Sequence, residues 1–283
     1  MRADPRSRRD VVVACAVQPV ARTEVRGVNV DGFEREYKDA ARGRDPALAR
    51  RFWRAVLAVA DRVGASIEGL EHLPAGRALL VANHAFGWDI ALAMALIYRR
   101  TGRAPWVLGD HAWWSVPFLR GLAAAAGVVD GTPENVDWLL SRDELVVVLP
   151  GGMREALKPR ELRYRLLWGR RYGFVRAAIR NGAPLVPLAA LGADEWVDWV
   201  GDPYQRGRRW FGRFGLRVPV PRPWAGLPRV HLVRPSYCLG EPVVPPVGPA
   251  SADDPAALRR LRREVEGALY ELIDEALARR AGF

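Results

Sequence analysis

The chain has 283 residues, room for one large domain or two small ones, and its 49% hydrophobic and 27% charged residues exclude global disorder. The net charge of +11 favours anionic partners, namely nucleic acid, an anionic bilayer or phosphorylated substrates, although an arginine-rich composition with only Lys38 and Lys158 as lysines accounts for part of it. Two distant cysteines, Cys15 and Cys238, exclude a disulfide framework and a cysteine zinc site, and no apolar run reaches the ~18 residues of a spanning helix.

Residues 1–45 read as a flexible basic leader, whose apolar run VVVACAV is too quickly interrupted for a signal peptide. Residues 46–63 have helical spacing. Leu48, Phe52, Val56, Val59 and Val63 fall on one side and arginines on the other. Such a helix covers a core, or lies at a membrane interface with Trp53 and the arginines among headgroups. From Ala78 strands and helices alternate. ALLVA is a strand and IALAMALIYRR a helix; APWVLG is a strand and WWSVPFLRGLAAA a helix. AGVVD, NVDWLLSR, ELVVVLP, GFVRAAIRNG and PLVPLAA continue as strand, helix, strand, helix and strand. This order predicts an α/β fold with a mostly parallel central sheet flanked by helices. Residues 201–228 mix Arg, Trp, Phe, Pro and Gly without a period, and read as a surface loop or as a loop touching membrane or substrate. Residues 229–239 predict a further strand. Residues 253–280 predict a long helix capped by Asp253 or Asp254, with Pro255 in its first turn.

In open parallel sheets the site gathers at the C-terminal ends of the strands. Three turns start there: NHAFGWD, PGGMRE and LGADE. On a regular helix His84 and Asp89 would stand about 140° apart. With His84 in the turn and Asp89 in the first helical turn they can meet. Asp89 would then hold Nδ1–H and leave Nε2 as a base. Taken alone, the pair reads first as a structural histidine beside a capping aspartate. No serine or cysteine stands near as a nucleophile, so the nucleophile would be a substrate hydroxyl. In LPGGMRE, Gly151 and Gly152 expose backbone amides, Arg154 suits a phosphate or carboxylate, and Glu155 suits a hydroxyl donor. His72, His111 and His231 carry no motif. His111, Trp113 and Trp114 read as core or as lining for an acyl chain or membrane.

In combination these blocks resemble the glycerolipid acyltransferases of the lysophosphatidate acyltransferase-like superfamily. The blocks are Asn83, His84 and Asp89; then Pro150, Gly151, Gly152 and Arg154; then the apolar strand LVPLA with Pro187. The likeness runs from about Gly69 to Glu195 and implies one acyltransferase domain over 46–283. Gly151 stands where glycerol-3-phosphate-type members carry a glutamate, and GVVDGTPEN lacks their arginine. The PGGxRE form resembles the diacylglycerol and monoacylglycerol acyltransferase branch. The resemblance implies transfer of a fatty acyl group from acyl-CoA or acyl-ACP to a neutral alcohol such as mono- or diacylglycerol. His84 would be the base and Asp89 its orienter, with Asn83, Pro150, Gly151, Gly152, Arg154, Glu155 and Pro187 as substrate-side residues. No metal or other cofactor is expected. The expected partners are the acyl thioester, the lipid acceptor and an anionic membrane surface, with no nucleic acid, placing the protein in the cytoplasm, peripheral or monotopic on the inner membrane face. The alternatives are a lysophosphatidate or lysophospholipid acyltransferase and a non-catalytic lipid-binding protein. A hydrolase that uses water in place of the alcohol is a further alternative, but the chain has no GxSxG elbow.

Overall fold

The computed structural model describes residues 46–85, 89–109, 126–198, 204–205, 229–231 and 233–282. The expected leader, the helix WWSVPFLRGLAAA with His111, Trp113 and Trp114, and nearly all of 201–228 lie outside these residues.

The elements in chain order are α1 (Pro46–Val63), β1 (Ser66–Glu68), β2 (Ala78–Ala82), α2 (Asp89–Thr101), β3 (Trp106–Gly109), β4 (Val128–Asp130), α3 (Pro133–Ser141) and β5 (Leu145–Val148). There follow α4 (Gly152–Ala156), α5 (Gly173–Asn181), β6 (Leu185–Leu191), α6 (Ala193–Trp196), β7 (Val197–Asp198), β8 (Arg229–Val230), β9 (Ser236–Leu239) and α7 (Pro255–Ala281). Seven strands form one sheet in the order β1-β9-β6-β2-β5-β3-β4. The neighbours from β6 to β4 are parallel. β9 pairs antiparallel with β6, and β1 follows β9 in parallel.

The central strands are buried on both faces, which explains their unbroken apolar runs. Alternate residues supply opposite layers. Leu79, Val81, Val146, Val148 and Leu185 pack with α3, α5 and α7. Ala78, Leu80, Leu145, Val147 and Val186 pack with α1 and α2. The result is a helix–sheet–helix sandwich.

Two expectations change. The strand over 229–239 is two pieces: β8 pairs with β7 in a separate two-stranded ribbon, and only β9 joins the main sheet. In α1, Trp53 is buried against Phe52 and Tyr98, whereas Val59 is half exposed. The helix therefore covers the core, and Trp53 is not at a surface.

The crevice follows from connectivity. The chain leaves β2 through α2 on one face and reaches β3; it leaves β5 through α5 on the other face and reaches β6. The loops after adjacent strands part to opposite faces and open a cleft at their C-terminal ends.

Candidate active site

β2 ends at Ala82, and the next residue extends its pairing with a side chain. Asn83 Nδ2 donates to Ala190 O at 2.8 Å, and Ala190 N donates back to Asn83 Oδ1 at 2.7 Å. The carboxamide takes the place of a peptide on the β6 side, so the main chain can turn while the ladder stays satisfied. Asn83 is fully buried, with its amide committed to backbone, and it serves the frame in place of the expected substrate contact.

His84 is held from both ends of its own residue. Its N–H donates to Glu155 Oε1 at 2.7 Å, and its carbonyl accepts from Lys158 Nζ at 2.8 Å. The other Glu155 oxygen accepts from Leu167 N at 2.7 Å. Glu155, expected to meet a substrate hydroxyl, is instead a fully buried brace between two loops. Lys158 also pairs with Asp194 Oδ1 at 2.6 Å, while Asp194 Oδ2 accepts from Tyr164 N at 2.8 Å. The turns after β2, β5 and β6 thus meet, as the strand order predicts.

Asp89 opens α2, and its carbonyl accepts from Tyr237 Oη of β9 at 2.7 Å. His84 Nδ1 stands 3.9 Å from Asp89 Oδ1, with the side chains 8% and 0% exposed. That separation is about 0.7 Å beyond hydrogen-bond reach, a looseness common in catalytic pairs without substrate. Six buried side-chain polar atoms among the described residues lack a hydrogen-bond partner, and three of them are His84 Nδ1 and the two Asp89 oxygens. Native folds leave few such groups. Here the frame is saturated and the pair within it is not.

Burial, helped by the Lys158 charge, lowers the His84 pKa to about 3, so the ring is neutral at pH 7. Burial, helped by Asp194, pushes Asp89 up to about 7, against the opposing pull of Lys158 and of the Asp89 and Ala85 backbone N–H groups, which act on the carboxylate by their dipoles without meeting hydrogen-bond geometry. Burial likewise raises Glu155 to about 7, against Lys158 and the two amides it accepts from. A neutral imidazole facing a carboxyl poised near neutrality can take a proton at Nε2 while the carboxylate steadies Nδ1–H.

Among the residues after β5, Pro150 is buried and its carbonyl accepts from Arg171 Nη1 at 2.6 Å. Gly151 must lack a side chain, because a Cβ there would overlap the Glu155 carboxylate. Gly152 has φ +52°, the left-handed region that favours glycine, and its N–H closes a turn on Leu149 O at 3.0 Å. That amide is therefore not free for substrate as expected. Arg154 is exposed on α4 and belongs to none of the hydrogen bonds around His84. Pro187 pairs in register with Val81, three residues of strand, about 10 Å, short of the level of His84. It is a buried sheet residue whose carbonyl accepts from Gly240 N, away from the three turns that meet at His84.

Lys158, Asp194 and Tyr237 were not singled out from the sequence. One signal was present: Lys158 is one of two lysines among 43 basic residues. Among the described residues no group of three or more His, Cys, Asp or Glu could hold a metal ion.

A diacylglycerol acyltransferase family model matches residues 97–218. A relative from Mus musculus, "DGAT1/2-independent enzyme synthesizing storage lipids", is 28% identical over 214 residues, covering 75% of this chain and 60% of that protein. "Phytyl ester synthase 1, chloroplastic" from Arabidopsis thaliana is 40% identical over 76 residues, 27% of this chain and 11% of that protein. The chain spans about three fifths of the length of the storage-lipid relatives it matches in mouse, cow and human. The crystal structure of the 1-acyl-sn-glycerophosphate acyltransferase PlsC from Thermotoga maritima aligns with a TM-score of 0.49 at 15% identity, over 87% of this chain and 88% of that one. The family match and the curated relatives, met on a sheet whose turns carry the motif blocks in order, fit a glycerolipid acyltransferase of the diacylglycerol acyltransferase kind.

Proposed function

We propose that the chain is an O-acyltransferase that moves a fatty acyl group from a thioester, acyl-CoA or acyl-ACP, to the hydroxyl of a neutral lipid alcohol such as mono- or diacylglycerol. His84 Nε2 takes the hydroxyl proton as the oxygen attacks the thioester carbonyl. The tetrahedral adduct collapses, the carbon–sulfur bond breaks, and the departing thiolate recovers the proton from the imidazolium. Asp89 holds Nδ1–H throughout and stabilises the charged ring. Neither a covalent acyl-enzyme nor a metal is needed, and the reaction leaves an ester and a free thiol. The reading places the protein on an anionic membrane surface at the cytoplasmic face, where lipid acceptors are available.

The observation that carries this reading is the contrast within the crevice: saturated polar groups around an unpartnered His84–Asp89 pair. The acceptor reading draws support from relatives named for storage lipids and phytyl esters, and from Gly151, whose place a glutamate side chain could share with Glu155 only by displacing it.

The test offers radiolabelled long-chain acyl-CoA with diacylglycerol, monoacylglycerol, lysophosphatidate and glycerol-3-phosphate side by side in detergent or liposomes. Product on the neutral alcohols from wild type, with none from His84→Ala, supports the proposal. Equal product from both proteins removes His84 as the base. Preference for lysophosphatidate overturns the acceptor, and no transfer to any acceptor favours a lipid-binding protein.

A further inference from the structure

We propose that Glu155 and Lys158 are positioning residues that grip the backbone of His84 on both sides of its Cα and set its imidazole against Asp89. Resting on the acyltransferase reading for its catalytic meaning, the inference stands geometrically on the contacts themselves. The N–H of His84 is held by Glu155 and its carbonyl by Lys158, at 2.7 and 2.8 Å. Both side chains come from one short segment following the Gly151–Gly152 turn, so a single piece of chain holds the two peptides that flank the histidine Cα.

Each jaw is anchored behind. Glu155 is tied to Leu167 N, and Lys158 to Asp194, whose second oxygen is tied to Tyr164 N. Tyr164 in turn donates its hydroxyl to Glu195 and accepts from Gly192 N. Gly151 gives Glu155 its berth. A buried ion pair adds little net stability by itself, but it is rigid, and losing one partner leaves a buried charge. Rigid support of a catalytic group is where such a device has value.

Lys158 has a second effect, through charge. The ionisable groups around it are Asp194, Glu155, Asp89 and His84, with Arg160 and Arg163 lining the same small cavity. Its positive charge disfavours protonation of His84 and favours the Asp89 carboxylate. Removing it should move both titrations upward.

The experiment uses the full chain and four variants: Lys158→Met, Lys158→Met with Asp194→Asn, Glu155→Gln and Glu155→Leu. Two readouts are taken: kcat and KM for acyl transfer, and the titration of the His84 ring by histidine-selective NMR, assigned by its loss in His84→Ala. The double variant removes both members of the Lys158–Asp194 pair, so neither is left alone, and it keeps the test open should Lys158→Met fail to fold. The expected result is a kcat lower by on the order of 10²-fold in both Lys158 variants, with KM nearly unchanged, as for small misplacement of a catalytic group. The His84 titration should move upward in Lys158→Met, and Glu155→Gln should keep more activity than Glu155→Leu because it retains an acceptor for the His84 amide. Wild-type kcat in the folded double variant, or an unmoved His84 ring in folded Lys158→Met, would overturn the proposal. Should wild type transfer no acyl group, the ring titration still decides. A shifted ring keeps the clamp while the acyltransferase reading falls, and an unshifted ring removes both.

Discussion

Asp89 is a carboxyl that ionises at about 7 beside a ring that stays neutral down to about pH 3. If the carboxylate must hold Nδ1–H, activity rises with pH through an acid limb near 7. Asp89→Asn should abolish that limb together with most of kcat, as a pH–rate profile would show. His84→Ala should lower kcat by about 10² to 10⁴. Stability carries a matching signature. A carboxyl raised from 3.8 to about 7 contributes stability fully present below about pH 4 and lost as the pH rises through 7. Asp89→Asn removes that loss, so its melting temperature relative to wild type should climb between pH 4 and 7. The depressed His84 contributes in the opposite sense, stabilising above 6.5 and losing effect towards pH 3, and this is unchanged in the comparison. Gly151→Ala tests the same site through shape. The added methyl overlaps the Glu155 carboxylate. It should lower kcat in the direction of Glu155→Leu, and unchanged kinetics would show that Glu155 can move without consequence.

At the scale of elements, the sheet and the motif turns rest on different kinds of information. Runs such as LVVV and LVPLAAL are strands buried on both faces, and their apolar continuity is visible in one dimension. Helix α7 is equally legible. Asp254 caps it by accepting from Ala256 N and Ala257 N, with Pro255 at its first turn. Asp254→Ala should cost about 1 kcal/mol on denaturant unfolding without touching kcat. The direction of β9 was not legible. SYCL has nearly all its residues buried and no pattern that distinguishes parallel from antiparallel pairing. β1, three residues long, is too short for a period. The site divides the same way. The spacing of His84 and Asp89 is local, so the sequence reveals it. The roles of Asn83 and Glu155 are set by partners 107 and 71 residues away, which only the strand order brings near. Both look like substrate contacts in sequence because polar residues at strand ends usually face the cleft. Asn83→Ala should leave the Ala190 peptide unpaired and cost about 1–3 kcal/mol, measured by urea unfolding.

At the scale of the whole molecule, charge and coverage set expectations about surfaces. No described helix is long and apolar enough to cross a membrane. The net charge of +11 remains available for an anionic bilayer, and exposed arginines lie along α1. Flotation on anionic liposomes should therefore be strong at low salt and weaken as salt rises, since exposed charges are screened beyond about 10 Å at 0.1 M. DNA retention in the same buffer is the control. A protein that held DNA and ignored liposomes would reverse the assignment of the charge.

The lysine in the clamp has a practical corollary. Of the two lysines in the chain, Lys158 has a side chain only 3% exposed and tied to a carboxylate, so amine-directed labels should pass it by while the frame is closed. Label arriving at Lys158 would then mark molecules in which the Lys158–Asp194 pair has come apart. Lys158 would thus report any loosening of its own pair with Asp194, readable by mass spectrometry without any substitution.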